Sequence, residues 1–181
     1  MSLQVSIVLT IYGDDGDLFS ILNCINDQTR APDEVIIINS APEEKIQSVI
    51  QKFKNLKIKY FYSNRRLLPG GARNLGVKKS IYPLIAFLDS KTLPEKSWLE
   101  ISTKQMIYPY QFFIFGSTKY IAKTEVQRII LLSVFGKKPV STIPGMVIHR
   151  KTFDEIGGFI STIRAAEDLE WRNRVNRHAV I

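Results

Sequence analysis

The chain has 181 residues and a mass of 20.7 kDa, with 45% apolar and 23% charged residues; these values fit one globular domain and exclude a disordered polypeptide. A single cysteine, Cys24, and two histidines, His149 and His178, exclude a disulfide framework, a multi-cysteine zinc site and a histidine-rich metal centre. The formal charge of +8 is unevenly placed: no acid occurs between Lys45 and Leu88, a stretch that includes Lys57, Lys59, Arg65, Arg66 and Arg73, and such a block attracts anions.

The elements follow in chain order. Val5-Ser-Ile-Val-Leu-Thr-Ile11 is an apolar run of strand length, and residues 14–28 place Leu18, Ile21, Leu22 and Ile25 at helical spacing. After the turn at Pro32-Asp-Glu, Val35 to Ile38 is a β-branched strand. Pro42 to Phe53 predicts a helix with Ile46, Val49, Ile50 and Phe53 on one face, and Ile58 to Tyr62 a third strand. Pro69-Gly-Gly opens a helix to about Ser80, followed by a fourth strand from Leu84 to Leu88. Thr92-Leu-Pro-Glu95 has the pattern of a capping box that starts a helix to about Ile107. Gln111 to Phe115 predicts a strand, Thr124 caps a helix through Phe135, and Val140 to Ile148 has strand composition. A short helix from Lys151 to Ile156 stops at Gly157-Gly158, and a last helix runs from Ala165 to Asn176.

Short apolar strands alternating with helices predict an α/β fold, an open and mostly parallel Rossmann-like sheet with helices on both faces. No repeat, linker or low-complexity tract divides the chain, so one domain over 1–181 is expected, with a nucleotide-binding half over about 1–91 and an acceptor half over about 92–181. The longest apolar run, Ile129 to Phe135, is far short of the roughly 20 residues that cross a bilayer. The first residues carry no basic flank ahead of an apolar core. A reducing, cytoplasmic setting is therefore the expectation, with peripheral contact at the inner membrane surface compatible with it.

Open α/β sheets bind ligands beyond the carboxyl ends of their strands. That rule selects Thr10-Ile-Tyr12, Asn39-Ser40, Asp89-Ser-Lys91 and the loop leading to Gly70, Gly71 and Arg73. One ring, one carboxylate, two cations and several hydroxyls and amides suit a nucleotide.

The same segments carry a family resemblance. Val5 to Tyr12, Asp27-Gln-Thr29 with Pro32 to Ile38, Gly70-Gly-Ala-Arg-Asn-Leu-Gly76, Ala86-Phe-Leu-Asp-Ser90 with Trp98-Leu-Glu100, Phe153 to Phe159, and Glu167-Asp168 occur in that order. Together they resemble the family 2 glycosyltransferases, inverting enzymes of the GT-A fold that take nucleotide-sugar donors and serve polysaccharide biosynthesis. The resemblance implies a base and ribose pocket lined by Thr10 and Tyr12, and Arg73 reaching the base or diphosphate. It implies Asp89 near the ribose and diphosphate, and Asp168 as the general base with Glu167 as its alternate. Each residue also has an ordinary reading: Tyr12 as cover for the sheet edge, Arg73 as a surface ion pair, Glu167-Asp168 as an acidic first helical turn. Arg174 resembles a phosphate-assisting arginine, or else belongs to a solvated helix end.

Two departures from the pattern follow. The acids expected after the second strand are Asn39 and Ser40 here, and the Asp-x-Asp site reads Asp89-Ser90-Lys91. A protonated lysine has no lone pair for a cation and repels one nearby. The resemblance implies a UDP-sugar or similar donor and a saccharide or lipid-linked acceptor; the departure at Lys91 is read either as an ammonium standing in place of Mg²⁺ or Mn²⁺, or as a side chain turned to solvent while another acid holds the metal. Only thirteen residues follow Asp168, so a short or truncated acceptor side is expected. Two other readings stand beside this one: a degenerate relative that binds a nucleotide or glycan without catalysis, and a basic nucleic-acid-binding module. The latter is disfavoured by the absence of any nucleic-acid signature.

Overall fold

The computed structural model describes residues 3–13, 17–42, 45–107, 112–134 and 138–178. Three runs of nearly continuous apolar sequence form β1 (Val5–Ile11), β2 (Glu34–Asn39) and β4 (Leu84–Asp89). All three are buried almost throughout, as strands covered on both faces must be. β3 (Ile58–Tyr62) completes a parallel set. β6 (Val140–His149) runs antiparallel to β4, and β5 (Phe113–Thr118) antiparallel to β6. The sheet order is β3-β2-β1-β4-β6-β5, an open, mostly parallel sheet of the expected class.

Alternate residues along the strands feed two cores. On one face Val5, Ile7, Leu9, Val35 and Ile37 pack against α1 (Leu18–Asn26), α2 (Lys45–Ile50) and α4 (Trp98–Gln105). On the other, Val8, Ile85 and Phe87 meet α3 (Pro69–Lys79), α6 (Arg150–Ile156) and α7 (Glu167–His178). Phe153, Phe159 and Trp171 stack there within 6 Å of one another, with Phe87 against the two phenylalanines. α5 (Glu125–Val134) is capped as its sequence predicts: Gln127 N donates to Thr124 Oγ1 at 3.2 Å. No helix among the described residues is long and apolar enough to cross a membrane.

Three expectations are corrected. The pattern at Thr92–Glu95 does not cap a helix; Thr92 Oγ1 donates instead to Asp89 Oδ1 at 2.7 Å, and α4 begins at Trp98. A local turn that satisfies the end of β4 has taken the hydroxyl. β5 lies later than expected, at Phe113–Thr118, set by its pairing with β6; Gln111 is outside the described residues. α7 starts at Glu167 and not Ala165, because Ala166 sits at a left-handed φ of 65° and cannot belong to a right-handed helix. The expected starts and ends at residues 14, 111 and 135 lie outside the described residues.

Candidate active site

Parallel pairing brings the carboxyl ends of β1, β2 and β4 together. Thr10 is in register with both Ile38 and Asp89, and Ile11 with Asn39, which pairs in turn with Tyr62. Thr10 and Asp89 thus lie side by side at the top of the sheet, Asn39 sits one position further along beside Ile11, and Tyr12 and Lys91 follow from the ends of adjacent strands.

Asn39 is fully buried and fully bonded. Its Oδ1 accepts from Gly13 N and Ala41 N, both at 3.0 Å, and its Nδ2 donates to Ala41 O at 2.7 Å and Tyr60 Oη at 3.1 Å. Two acceptor and two donor positions exhaust an amide, so Asn39 fastens the loop after β1 to the loop after β2. A carboxylate here could still accept from the Tyr60 hydroxyl but would lose the bond to the Ala41 carbonyl and face that oxygen directly, which accounts physically for an amide at this position.

Tyr12 is 55% exposed, and the Arg66 guanidinium lies 4.9 Å from its ring centroid. This cation–π contact makes Arg66 a rim residue that the sequence indicated only as part of the basic block. Asp89 Oδ1 accepts from Lys91 N at 3.1 Å and from Thr92 Oγ1. The second oxygen of Asp89 has no hydrogen bond among the described residues, and the Lys91 side chain is exposed. Among the described residues no group of three His, Cys, Asp or Glu side chains could hold a metal ion. Asp89 keeps one carboxylate oxygen outside its own turn, and two residues on, where the pattern has its second acid, stands Lys91, whose protonated ammonium cannot ligate a dication.

Arg73 and Glu167 were expected as a donor contact and an alternate base. The structure joins them to each other: Arg73 Nη1 lies 2.7 Å from Glu167 Oε1, with both side chains buried. Asn74 beside it clasps a backbone, donating to Phe159 O at 2.7 Å and accepting from Phe159 N at 2.8 Å. The amino end of α3 is close-packed too, since a Cβ on Gly70 would strike the Ile160 carbonyl and come within 3.3 Å of Glu167 Cγ. α3 follows β3, so its amino end lies at the carboxyl rim of the sheet, and Glu167-Asp168 is thereby held at the same rim. Asp168 is half-buried, with Oδ1 accepting from Leu169 N at 2.8 Å. Arg174 is bound elsewhere. It pairs with Glu170, and its guanidinium caps α6 by donating to the carbonyls of Ile156 and Gly158 at 2.8 Å, where Gly157 turns the chain at φ 83°.

Comparison with known proteins agrees with this architecture. The model of the family described as Glycosyl transferase family 2 matches residues 6–168. An uncharacterized glycosyltransferase of Rickettsia bellii is 37% identical over 119 residues, 65% of this chain and 17% of that protein. The hyaluronan synthase of Pasteurella multocida is 28% identical over 120 residues, 65% of this chain and 12% of that protein. Among solved structures, S. aureus TarS 1-349 in complex with UDP-GlcNAc superposes with a TM-score of 0.76 at 17% identity, covering 95% of this chain and 53% of that one. The mannosyltransferase PcManGT of Pyrobaculum calidifontis, in complex with GDP-Man and Mn²⁺, gives 0.69 at 15% identity, covering 97% and 52%. The chain thus spans under a fifth of these two sequence relatives and about half of these solved chains.

Proposed function

This chain belongs to glycosyl transferase family 2, and on that premise we propose that it moves a sugar from a nucleotide-diphosphate donor, a UDP-sugar first among the candidates, to an acceptor hydroxyl with inversion. What supports the reading is that β1 and β4, which lead into Tyr12 and into Asp89–Lys91, are adjacent parallel strands, and that Arg73 on α3 pairs with Glu167, the neighbour of Asp168.

The base stacks on Tyr12 beside Arg66, within loops that Asn39 fixes. Thr10 lines the pocket floor next to Asp89, whose unbonded oxygen accepts from the ribose. Asp168 takes the proton of the acceptor hydroxyl as its oxygen attacks the anomeric carbon. The bond from that carbon to the β-phosphate oxygen breaks, the nucleoside diphosphate leaves with the electron pair, and a single displacement inverts the centre. The Lys91 ammonium stabilises charge developing on the leaving diphosphate. No step of this reading is routed through a metal: Lys91 stands at the second acid position of the Asp-x-Asp pattern, and its protonated ammonium has no lone pair for a dication.

The acceptor is a saccharide or a lipid-linked saccharide, and α5 provides a peripheral contact with an anionic leaflet. Val126, Ile129 and Ile130 are exposed on one face of that helix, with Lys119, Lys123 and Lys138 exposed beyond its ends. Co-flotation with phosphatidylglycerol vesicles but not phosphatidylcholine vesicles is expected; equal recovery with both sinks this contact.

The donor reading is tested by calorimetry and turnover with UDP, GDP, CDP and dTDP sugars, each with Mn²⁺ and with EDTA. Binding and transfer that survive EDTA are expected, and Lys91→Asp should make them metal-dependent. Collapse on EDTA would remove the role of Lys91; binding without transfer would leave the nucleotide-binding reading in its place.

A further inference from the structure

The ion pair between Arg73 and Glu167 joins residues 94 apart in sequence, and it sits one residue from the proposed base. We infer that Arg73 is a positioning residue: through Glu167 it fixes the first turn of α7 and so aims the Asp168 carboxylate, and it does not touch the donor. This rests on Asp168 being the base.

Access argues first. Arg73 is 7% exposed and Glu167 5%. The guanidinium carbon lies 5.3 Å from the centroid of the Phe159 ring while Nη1 bonds Glu167. A side chain held between a ring and a carboxylate inside the protein is not poised to swing toward a diphosphate.

Energetics argue next. Two charges removed from water gain little net stability over well-packed apolar groups, although breaking one partner leaves a costly unpaired charge. Retention of such a pair at this joint therefore suggests a geometric role, and the surroundings supply one. Asn74, the next residue on α3, holds the Phe159 backbone by both its N–H and its C=O. Gly70, one turn earlier, leaves no room between the helix and Ile160. Adjacent side chains of one helix thus clamp the segment that leads into α7.

The chain then passes through Ala166 at φ 65°, a conformation that disfavours any residue with a Cβ and persists only where surroundings impose it. Glu167 is the first residue after that bend, and its anchorage to Arg73 fixes the direction in which α7 departs. Asp168 follows directly, its Oδ1 held by Leu169 N. A carboxylate that must meet an acceptor hydroxyl within hydrogen-bond reach is sensitive to this angle, since a misplacement of about 1 Å can cost roughly 10²-fold in rate.

Arg73→Lys, Glu167→Gln and the paired change Arg73→Met with Glu167→Met separate the possibilities. The paired change removes both charges at similar volume and guards against simple unfolding. For each, affinity for whichever of UDP, GDP, CDP and dTDP the unsubstituted protein binds is measured beside kcat and KM. Amide exchange is followed over residues 166–169, which needs no activity. We expect kcat to fall about 10- to 100-fold, nucleotide affinity to stay within about twofold, and exchange at the start of α7 to accelerate in all three variants. A tenfold loss of affinity in Arg73→Lys, recovery of full kcat in the paired variant, or unchanged exchange in all three would overturn the inference. Absence of any nucleotide binding or transfer in the unsubstituted protein would instead overturn the donor reading, with exchange still reporting on the clamp.

Discussion

The two ends of the central sheet treat their carboxylates differently. At the amino end, Glu34 is buried beside Ser6, and both its oxygens are bonded. Oε1 accepts from Ser6 Oγ at 2.7 Å and Ile81 N at 2.8 Å, and Oε2 from Lys59 Nζ at 2.7 Å. At the carboxyl end, Asp89 in register with Thr10 engages only Oδ1, and only with its own turn. Burial alone would raise the pKa of Glu34; the bonds from Lys59, Ser6 and Ile81, with the Lys59 charge, more than offset it and hold the carboxyl below its ordinary value. The contrast teaches which polar groups serve folding and which are left with capacity for a ligand. Saturated bonding at one end fixes β1, β2, β3 and the turn before β4, whereas Asp89 at the other end keeps one oxygen without a hydrogen bond among the described residues.

The sharpest way to break this comparison is at the base. Asp168→Asn removes the proton acceptor and little else, so turnover should fall by about 10²–10⁴-fold with nucleotide affinity unchanged in calorimetry. Turnover within tenfold of the unsubstituted protein would take Asp168 out of the chemistry.

The amino end predicts the converse, a loss of stability with no loss of function. Glu34→Gln replaces an acceptor by a donor that faces Lys59, Ser6 or Ile81, and should cost about 1–3 kcal/mol in urea unfolding at pH 7. Turnover per folded molecule should not change. The pH dependence has a definite sign. Because the folded pKa of Glu34 is depressed, its stabilisation is complete above the unfolded value near about 4.3 and disappears as pH falls through the folded value. The variant should therefore approach the unsubstituted protein in stability on acidification, and a constant gap down to strong acid would contradict the account.

The smallest of these effects is expected at Tyr12. Its ring is 55% exposed and lies against the Arg66 guanidinium, so Tyr12→Ala should leave the unfolding midpoint unchanged. Loss of one base-stacking surface should weaken nucleotide binding by about 1–2 kcal/mol, within the range for aromatic–base stacking. Unchanged affinity would place the base elsewhere.

Much of this organisation can be traced to local signals. The continuous apolar runs of β1, β2 and β4 announce strands covered on both faces, and Leu18, Ile21, Leu22 and Ile25 announce one face of α1. The rule of the strand carboxyl ends then selects Thr10, Asn39 and Asp89; parallel register places Thr10 beside Asp89 and Asn39 one position further along, beside Ile11. Asp89 with Thr92 three residues later was a legible turn signal, and it competed with the capping-box pattern for the same hydroxyl. Other features left no local mark. The four bonds of Asn39 come from Gly13, Ala41 and Tyr60, and only the packed loops show that no capacity is left for a ligand. The Arg66 contact with Tyr12 is likewise invisible along the chain.

Periodicity, turn chemistry and strand polarity are properties of short segments, and so the strands and helices, apart from the bounds of α4, α7 and β5, the family, and the edge of the sheet where ligand-binding groups collect were legible along the chain. What those groups are free to do depends on packing between distant segments. Arg73 and Glu167 are each plausible partners for a ligand when read alone, and become partners of one another once α3 and α7 pack. A side chain's remaining hydrogen-bonding capacity is what its neighbours leave over, and those neighbours are chosen by folding across long stretches of chain.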